Sequence, residues 1–146
     1  MLKVGDKAPA LNIPDQNRKI RNLSDFSDKW LLLYFYPKDF TPGCTTEACT
    51  FRDNYSELSK ISHIVGVSAD SVDSHKKFEQ KHVLQFPLLA DTDRMVTKNF
   101  GANGIILPKR VSFLIDREGI IRKIYKSVKP DEHAEQVLKD ISSFGV

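Results

Sequence analysis

The run Trp30-Leu31-Leu32-Leu33-Tyr34-Phe35-Tyr36 passes directly into Pro37-Lys38-Asp39-Phe40-Thr41-Pro42-Gly43-Cys44-Thr45-Thr46-Glu47-Ala48-Cys49. The first part is apolar throughout instead of alternating, which marks a strand covered on both faces by helices. Pro37 lacks an N–H and ends it. The second part opens a helix. Thr41 can cap it, Pro42 suits its first position, and Phe51, Tyr55 and Leu58 recur at helical spacing, so one helix is expected from Thr41 to Lys60. Both cysteines of the chain lie at this strand-to-helix junction.

Beyond this junction, Ile61 to Val67 is β-branched and reads as the next strand, and Ser71 opens an amphipathic helix over Asp73 to Val83. Phe86 to Ala90 is a short strand, and Arg94 to Phe100 a short helix closed by Gly101. Val111–Ile115 and Ile120–Tyr125 are strands joined by Asp116-Arg117-Glu118-Gly119, a hairpin loop, and Pro130-Asp131 opens a last helix reaching Ser143. Near the N-terminus Leu11-Asn12-Ile13 can pair with Lys19-Ile20-Arg21. The order β-α-β-α-β-α-β-β-α implies an α/β three-layer sandwich with a central mixed sheet.

With 146 residues and no linker or repeat, the chain is expected to form a single domain over 1–146. A net charge of +3, with no basic run, gives no reason to invoke nucleic acid. No apolar stretch reaches the ~18 residues of a membrane span and no apolar h-region follows Met1, so the expectation is a soluble, cytoplasmic protein. Two cysteines are too few for a disulfide scaffold; in a reducing compartment a close pair points to redox chemistry.

The chemistry follows from position. A helix beginning near Pro42 puts Cys44 in its first turn, where backbone N–H groups lack partners and the helix dipole is positive. A thiolate there is favoured, and the thiolate is the nucleophile. Cys49 lies five residues on. On an intact helix this separates the two Cα atoms by about 8–9 Å and turns them about 140° apart. A disulfide needs Cα atoms within ~7 Å, so the pair can bond only if the first turns unwind. Burial of either cysteine as simple core packing is the alternative reading.

The pattern Pro37-x-x-x-Thr41-x-x-Cys44 resembles the active-site signature of the peroxiredoxins, and the fuller string Tyr36 to Cys49 that of their bacterioferritin comigratory protein (PrxQ) subfamily. Gly66-Val67-Ser68-Ala69-Asp70, Phe86-Pro87-Leu88-Leu89-Ala90-Asp91 and Arg110-Val111-Ser112-Phe113-Leu114-Ile115-Asp116 with Gly119 extend the resemblance along nearly the whole chain. It implies a thioredoxin-like fold and a peroxidase needing neither metal nor cofactor, acting on hydrogen peroxide and organic hydroperoxides. Cys44 would be the peroxidatic thiol. Thr41 and Arg110 would polarise the peroxide, Pro37 would shield the thiolate, and Glu47 would orient Arg110. Cys49 would be the resolving thiol, forming an intramolecular disulfide that thioredoxin or a similar dithiol reduces. Both thiols in one helix make a monomer sufficient, though a dimer is compatible. Between Phe100 and Arg110 the chain is shorter than in many relatives and lacks a tryptophan often found there.

Other signals are weaker. His75, Glu79 and His82 can share a helix face, but the spacing reads as a solvated stripe and not as a metal site. A thioredoxin-type oxidoreductase would carry Cys-x-x-Cys, whereas four residues separate these thiols. A redox-sensing or chaperone-like module on the same fold would need an exposed apolar surface.

Overall fold

The structure is a computed structural model and describes residues 2–145. Its centre is a five-stranded sheet in the order β5-β4-β3-β6-β7. The strands are β3 (Trp30–Phe35), β4 (Ser62–Ser68), β5 (Leu88–Ala90), β6 (Val111–Ile115) and β7 (Ile121–Tyr125). β3, β4 and β5 run parallel, while β6 and β7 add antiparallel strands. A two-stranded ribbon of β1 (Ile13–Pro14) and β2 (Ile20–Arg21) precedes them. This is the mixed-sheet α/β sandwich expected from the element order.

The unbroken apolar run of β3 has a direct packing cause. Leu32, Tyr34 and Tyr36 enter one core with Ala48 and Phe51 of helix α1 (Pro42–Asp53), Phe78 of α3 (Val72–His82), and Val137 and Ile141 of α5 (His133–Ser143). Leu31, Leu33 and Phe35 enter a second core with Val65, Phe113, Phe100, and Val96 of α4 (Met95–Asn99). Alternation along β3 therefore feeds two cores, and every residue of the strand is buried. Gly66 belongs to the first face by necessity, since a Cβ there would stand 2.9 Å from Cζ of Tyr34.

Several boundaries differ from expectation. The helix over 41–60 is two helices, α1 and α2 (Tyr55–Leu58), divided at Asn54. The Asn54 side-chain amide and backbone N–H both donate to the Thr50 carbonyl, at 2.8 and 3.1 Å, so the side chain caps the helix instead of continuing it. The third expected strand starts at Leu88 because Pro87 has no N–H to give; its carbonyl accepts from Gly66 N at 3.0 Å. Pro130-Asp131 lies in the turn before α5, which begins at His133. Ser71 does open α3, accepting from Ser74 N at 3.1 Å. Among the described residues, no helix is long and apolar enough to cross a membrane.

Candidate active site

The sheet brings the site together at one end. Phe35 faces Val111 across the antiparallel β3–β6 pair. The residue before β6 is Arg110, so its side chain arrives where the chain leaves β3 for α1. Pro42 occupies the first turn of α1, and Cys44 follows two residues later. Cys44 is 1% exposed. Its Sγ accepts a hydrogen bond from Arg110 Nη2 at 3.4 Å, a contact spanning 66 residues of sequence. Gly43 permits this approach, since a Cβ on it would stand 2.9 Å from the same Nη2.

The guanidinium has a second anion. Arg110 Nη1 donates to Glu47 Oε1 at 2.7 Å, and Glu47 is fully buried with no partner for Oε2. Burial pushes the Glu47 carboxyl up to about 7, against the pull of Arg110. For Arg110, burial favours the neutral form, but the Glu47 carboxylate and the Cys44 sulfur outweigh it and hold the group above the ordinary arginine value. A fixed cation thus sits between the sulfur and a carboxylate that titrates near neutrality.

Thr41 is the residue before the helix, in extended conformation, yet its side chain does not cap α1. Its hydroxyl donates to the Lys38 carbonyl at 2.7 Å, which leaves the oxygen lone pairs free to accept from a bound group. Pro37 is half-buried at the end of β3. Cys49 is half-exposed, and both thiols are free within the intact α1. The structure brings Cys44, Glu47 and Arg110 into one constellation, leaves Thr41 at the start of the same helix with its side chain on the Lys38 carbonyl, and puts Cys49 on another side of that helix.

His75 corrects the reading of a solvated helix stripe: it is fully buried. Its Nε2 lies 3.0 Å from the Leu89 carbonyl and its Nδ1 2.7 Å from Asp39 Oδ2. A carbonyl only accepts, so Nε2 carries hydrogen. Asp39 also accepts from the Tyr36 hydroxyl at 2.6 Å and from Ser74 Oγ at 2.9 Å, and its backbone N–H donates to Asp70 Oδ2 at 2.9 Å. This network ties the loop before Cys44 to α3 and holds Phe40 at a φ of 67°, a backbone conformation that side chains other than glycine resist. Asp39, Asp70 and His75 bring ligand-type atoms within 4.8 Å of one another, but protein hydrogen bonds already engage them. The missed signal was the i, i+3 relation of His75 to the core residue Phe78.

A cation-paired thiol thus stands at a helix start within a sandwich of this strand order. Residues 4–124 match the model of the AhpC/TSA family. The chain belongs to this family. It is a peroxiredoxin of the Bcp/PrxQ kind and a thiol-dependent peroxidase. It is 42% identical to Peroxiredoxin Bcp of Bacillus subtilis over 154 residues, covering 97% of this chain and 98% of that one. Among solved structures it is similar to Peroxidoxin BcpB of Mycobacterium tuberculosis, with TM-score 0.91, 33% identity and 98% of each chain covered. It is also similar to the bacterioferritin comigratory protein of Xanthomonas campestris, with TM-score 0.88, 32% identity and coverage of 93% and 92%. That protein is described with alkyl peroxide reduction activity. The thioredoxin-like fold of the peroxiredoxins is therefore the fold of this chain.

Proposed function

We propose that this peroxiredoxin reduces hydrogen peroxide and organic hydroperoxides at Cys44, resolves the product with Cys49, and is recycled by thioredoxin or a similar dithiol. The observation that carries the reading is the Arg110 guanidinium held between the Cys44 sulfur and Glu47. It is a permanent cation with several fixed donors, so it can favour the thiolate and also donate to a peroxide oxygen. The alkyl peroxide reduction described for the Xanthomonas campestris relative supports the organic hydroperoxide side of the reading.

In the first step the Cys44 thiolate attacks the terminal peroxide oxygen and the O–O bond breaks. The sulfur is oxidised to a sulfenic acid, and the departing oxygen leaves as water or an alcohol after taking a proton. Negative charge spreads over sulfur and two oxygens in the transition state. In this reading Arg110 donates to that charge, Thr41 accepts the hydrogen of the peroxide on its free lone pairs, and Pro37 keeps water from the sulfur. Glu47 fixes the guanidinium. In the second step the start of α1 unwinds and Cys49 condenses with the sulfenic acid, releasing water and forming the Cys44–Cys49 disulfide. A dithiol then reduces that disulfide by exchange. One chain, read as one domain, supplies both thiols, so a monomer is sufficient. The cytoplasm, where such dithiols are kept reduced, is the compartment that suits the cycle.

Rapid mixing of the reduced protein with hydrogen peroxide and with an alkyl hydroperoxide tests the reading. Second-order loss of the Cys44 thiolate far faster than for free cysteine is expected. A rate no better than free cysteine overturns the proposal. Peptide mapping after one turnover is expected to find the Cys44–Cys49 disulfide, and Cys49→Ser to stop at the sulfenic acid.

A further inference from the structure

Cys49 lies on the side of α1 that meets α3, with its Sγ 3.8 Å from Nδ1 of His82. His82 is the last residue of α3 and is half-buried. From α1, Arg52 Nη1 donates to the His82 carbonyl at 2.9 Å, and Arg52 is itself paired with Asp53 at 3.0 Å. From its own helix, Lys81 adjoins it and the Phe78 ring lies edge-on at 5.1 Å. Beyond the helix, Gln85 Nε2 donates to the Arg52 carbonyl at 3.2 Å. Burial first, then the Lys81 and Arg52 charges, lowers His82 below the ordinary histidine value. At neutral pH the imidazole is therefore uncharged, with one ring nitrogen free to accept a proton.

Two physical points give this contact a use. An ordinary thiol, with a pKa of ~8.5, is only about 3% thiolate at pH 7, so resolution by an unaided cysteine is slow at neutrality. The second point is mechanical. The side-chain hydrogen bonds from α1 to α3 and its following turn lie at Cys49 and beyond it, through Arg52 and Gln85. When the first turns of α1 open, the mobile thiol is therefore Cys44, and Cys49 stays beside His82.

We propose that His82 is the catalytic base of the resolving step, receiving the Cys49 thiol proton on Nδ1 as Cys49 attacks the Cys44 sulfenic sulfur. The inference rests on the Cys44–Cys49 disulfide proposed above. The Cys49 S–H bond breaks and its proton passes to the imidazole. The S–S bond forms as the Cys44 S–O bond breaks, and the departing hydroxide takes the proton from the imidazolium and leaves as water. Cys49 sulfur is oxidised and Cys44 sulfur reduced, with no outside reductant.

Rapid quenching with thiol alkylation and intact-mass detection follows sulfenic acid and disulfide separately after one equivalent of peroxide. In His82→Asn and His82→Gln, conversion of sulfenic acid to disulfide is expected to slow by about 30-fold at pH 7, the inverse of the ordinary thiolate fraction. Its pH profile is expected to rise through ~8.5 instead of below ~6.5, with variant and parent converging at high pH. Added imidazole restores part of the rate. An unchanged rate and profile overturn the proposal, as does faster conversion, which would make the contact a latch on the folded helix. Should the variants fail to fold, the parent profile decides alone: a single rise near ~8.5 overturns the proposal. If the parent forms no Cys44–Cys49 disulfide, the underlying reading fails. If it forms one at a rate indifferent to residue 82, only this inference fails.

Discussion

Cys44 and Cys49 share one helix and one side-chain chemistry, yet the molecule gives them opposite settings. Cys44 is sealed in the core, and its neighbour is a guanidinium brought from the edge of β6. Cys49 is half-exposed at the junction with α3, and its neighbour is a neutral imidazole. A permanent cation can hold a thiolate ready, whereas a neutral base can take a proton when one must be lost. In the proposed cycle, what would separate the attacking thiol from the resolving one is the residue that a different element delivers to it.

The largest effect is expected at Cys44. Cys44→Ser is expected to lower peroxidase activity by about 10⁴-fold or more, since the nucleophile itself is gone. Retention of activity with Cys49 alone would erase the distinction between the thiols. Arg110→Gln removes the cation but keeps a donor. Steady-state kinetics are expected to show a loss of about 10²–10³ in kcat/KM.

Glu47→Gln sharpens the contrast through pH. Burial raises the Glu47 carboxyl from 4.5 to about 7, so the charged form costs stability that is present below 4.5 and lost as pH rises through 7. The same ionisation completes the ion pair that fixes Arg110. The peroxide reaction rate is expected to carry an inflection near pH 7 in the parent, absent in the variant. The variant loses about 10- to 100-fold at pH 8 through misplacement of the guanidinium.

The smallest effect tests the Cys49 side. Val83, next to His82, has φ 54° and ψ 51°, a left-handed conformation costly for a β-branched residue, and is 73% exposed. Val83→Gly is expected to stabilise the protein by about 1 kcal/mol and raise Tm by about 2–4 °C. Calorimetry checks it, and a lowered Tm would mean that Val83 contributes packing that its exposure does not reveal.

Much of this was legible in the chain. The element order, the doubly covered β3 and the helix start at Pro42 follow from local periodicity and from proline chemistry, and the structure keeps them, though Thr41 does not lend its side chain to the cap. The break at Asn54 was missed because asparagine is tolerated inside helices and reveals itself as a cap only when its amide turns back to Thr50. His75 was misread because a histidine next to lysines looks solvated. Its partner Asp39 lies 36 residues away, and no local pattern pairs them.

The sequence by itself determined that a thiol stands at a helix N-terminus, that a second stands five residues on, and that the two cannot bond while the helix is intact. These are consequences of rise and rotation per residue, which need no neighbours. Only the tertiary structure decided which charges meet them. The β3–β6 register carries Arg110 across 66 residues to Cys44, burial alone moves Glu47 toward neutrality, and the end of α3 sets His82 against Cys49. Periodicity is a property of a segment, but proximity and dielectric belong to the packed molecule, and those two set the reactivity of a thiol.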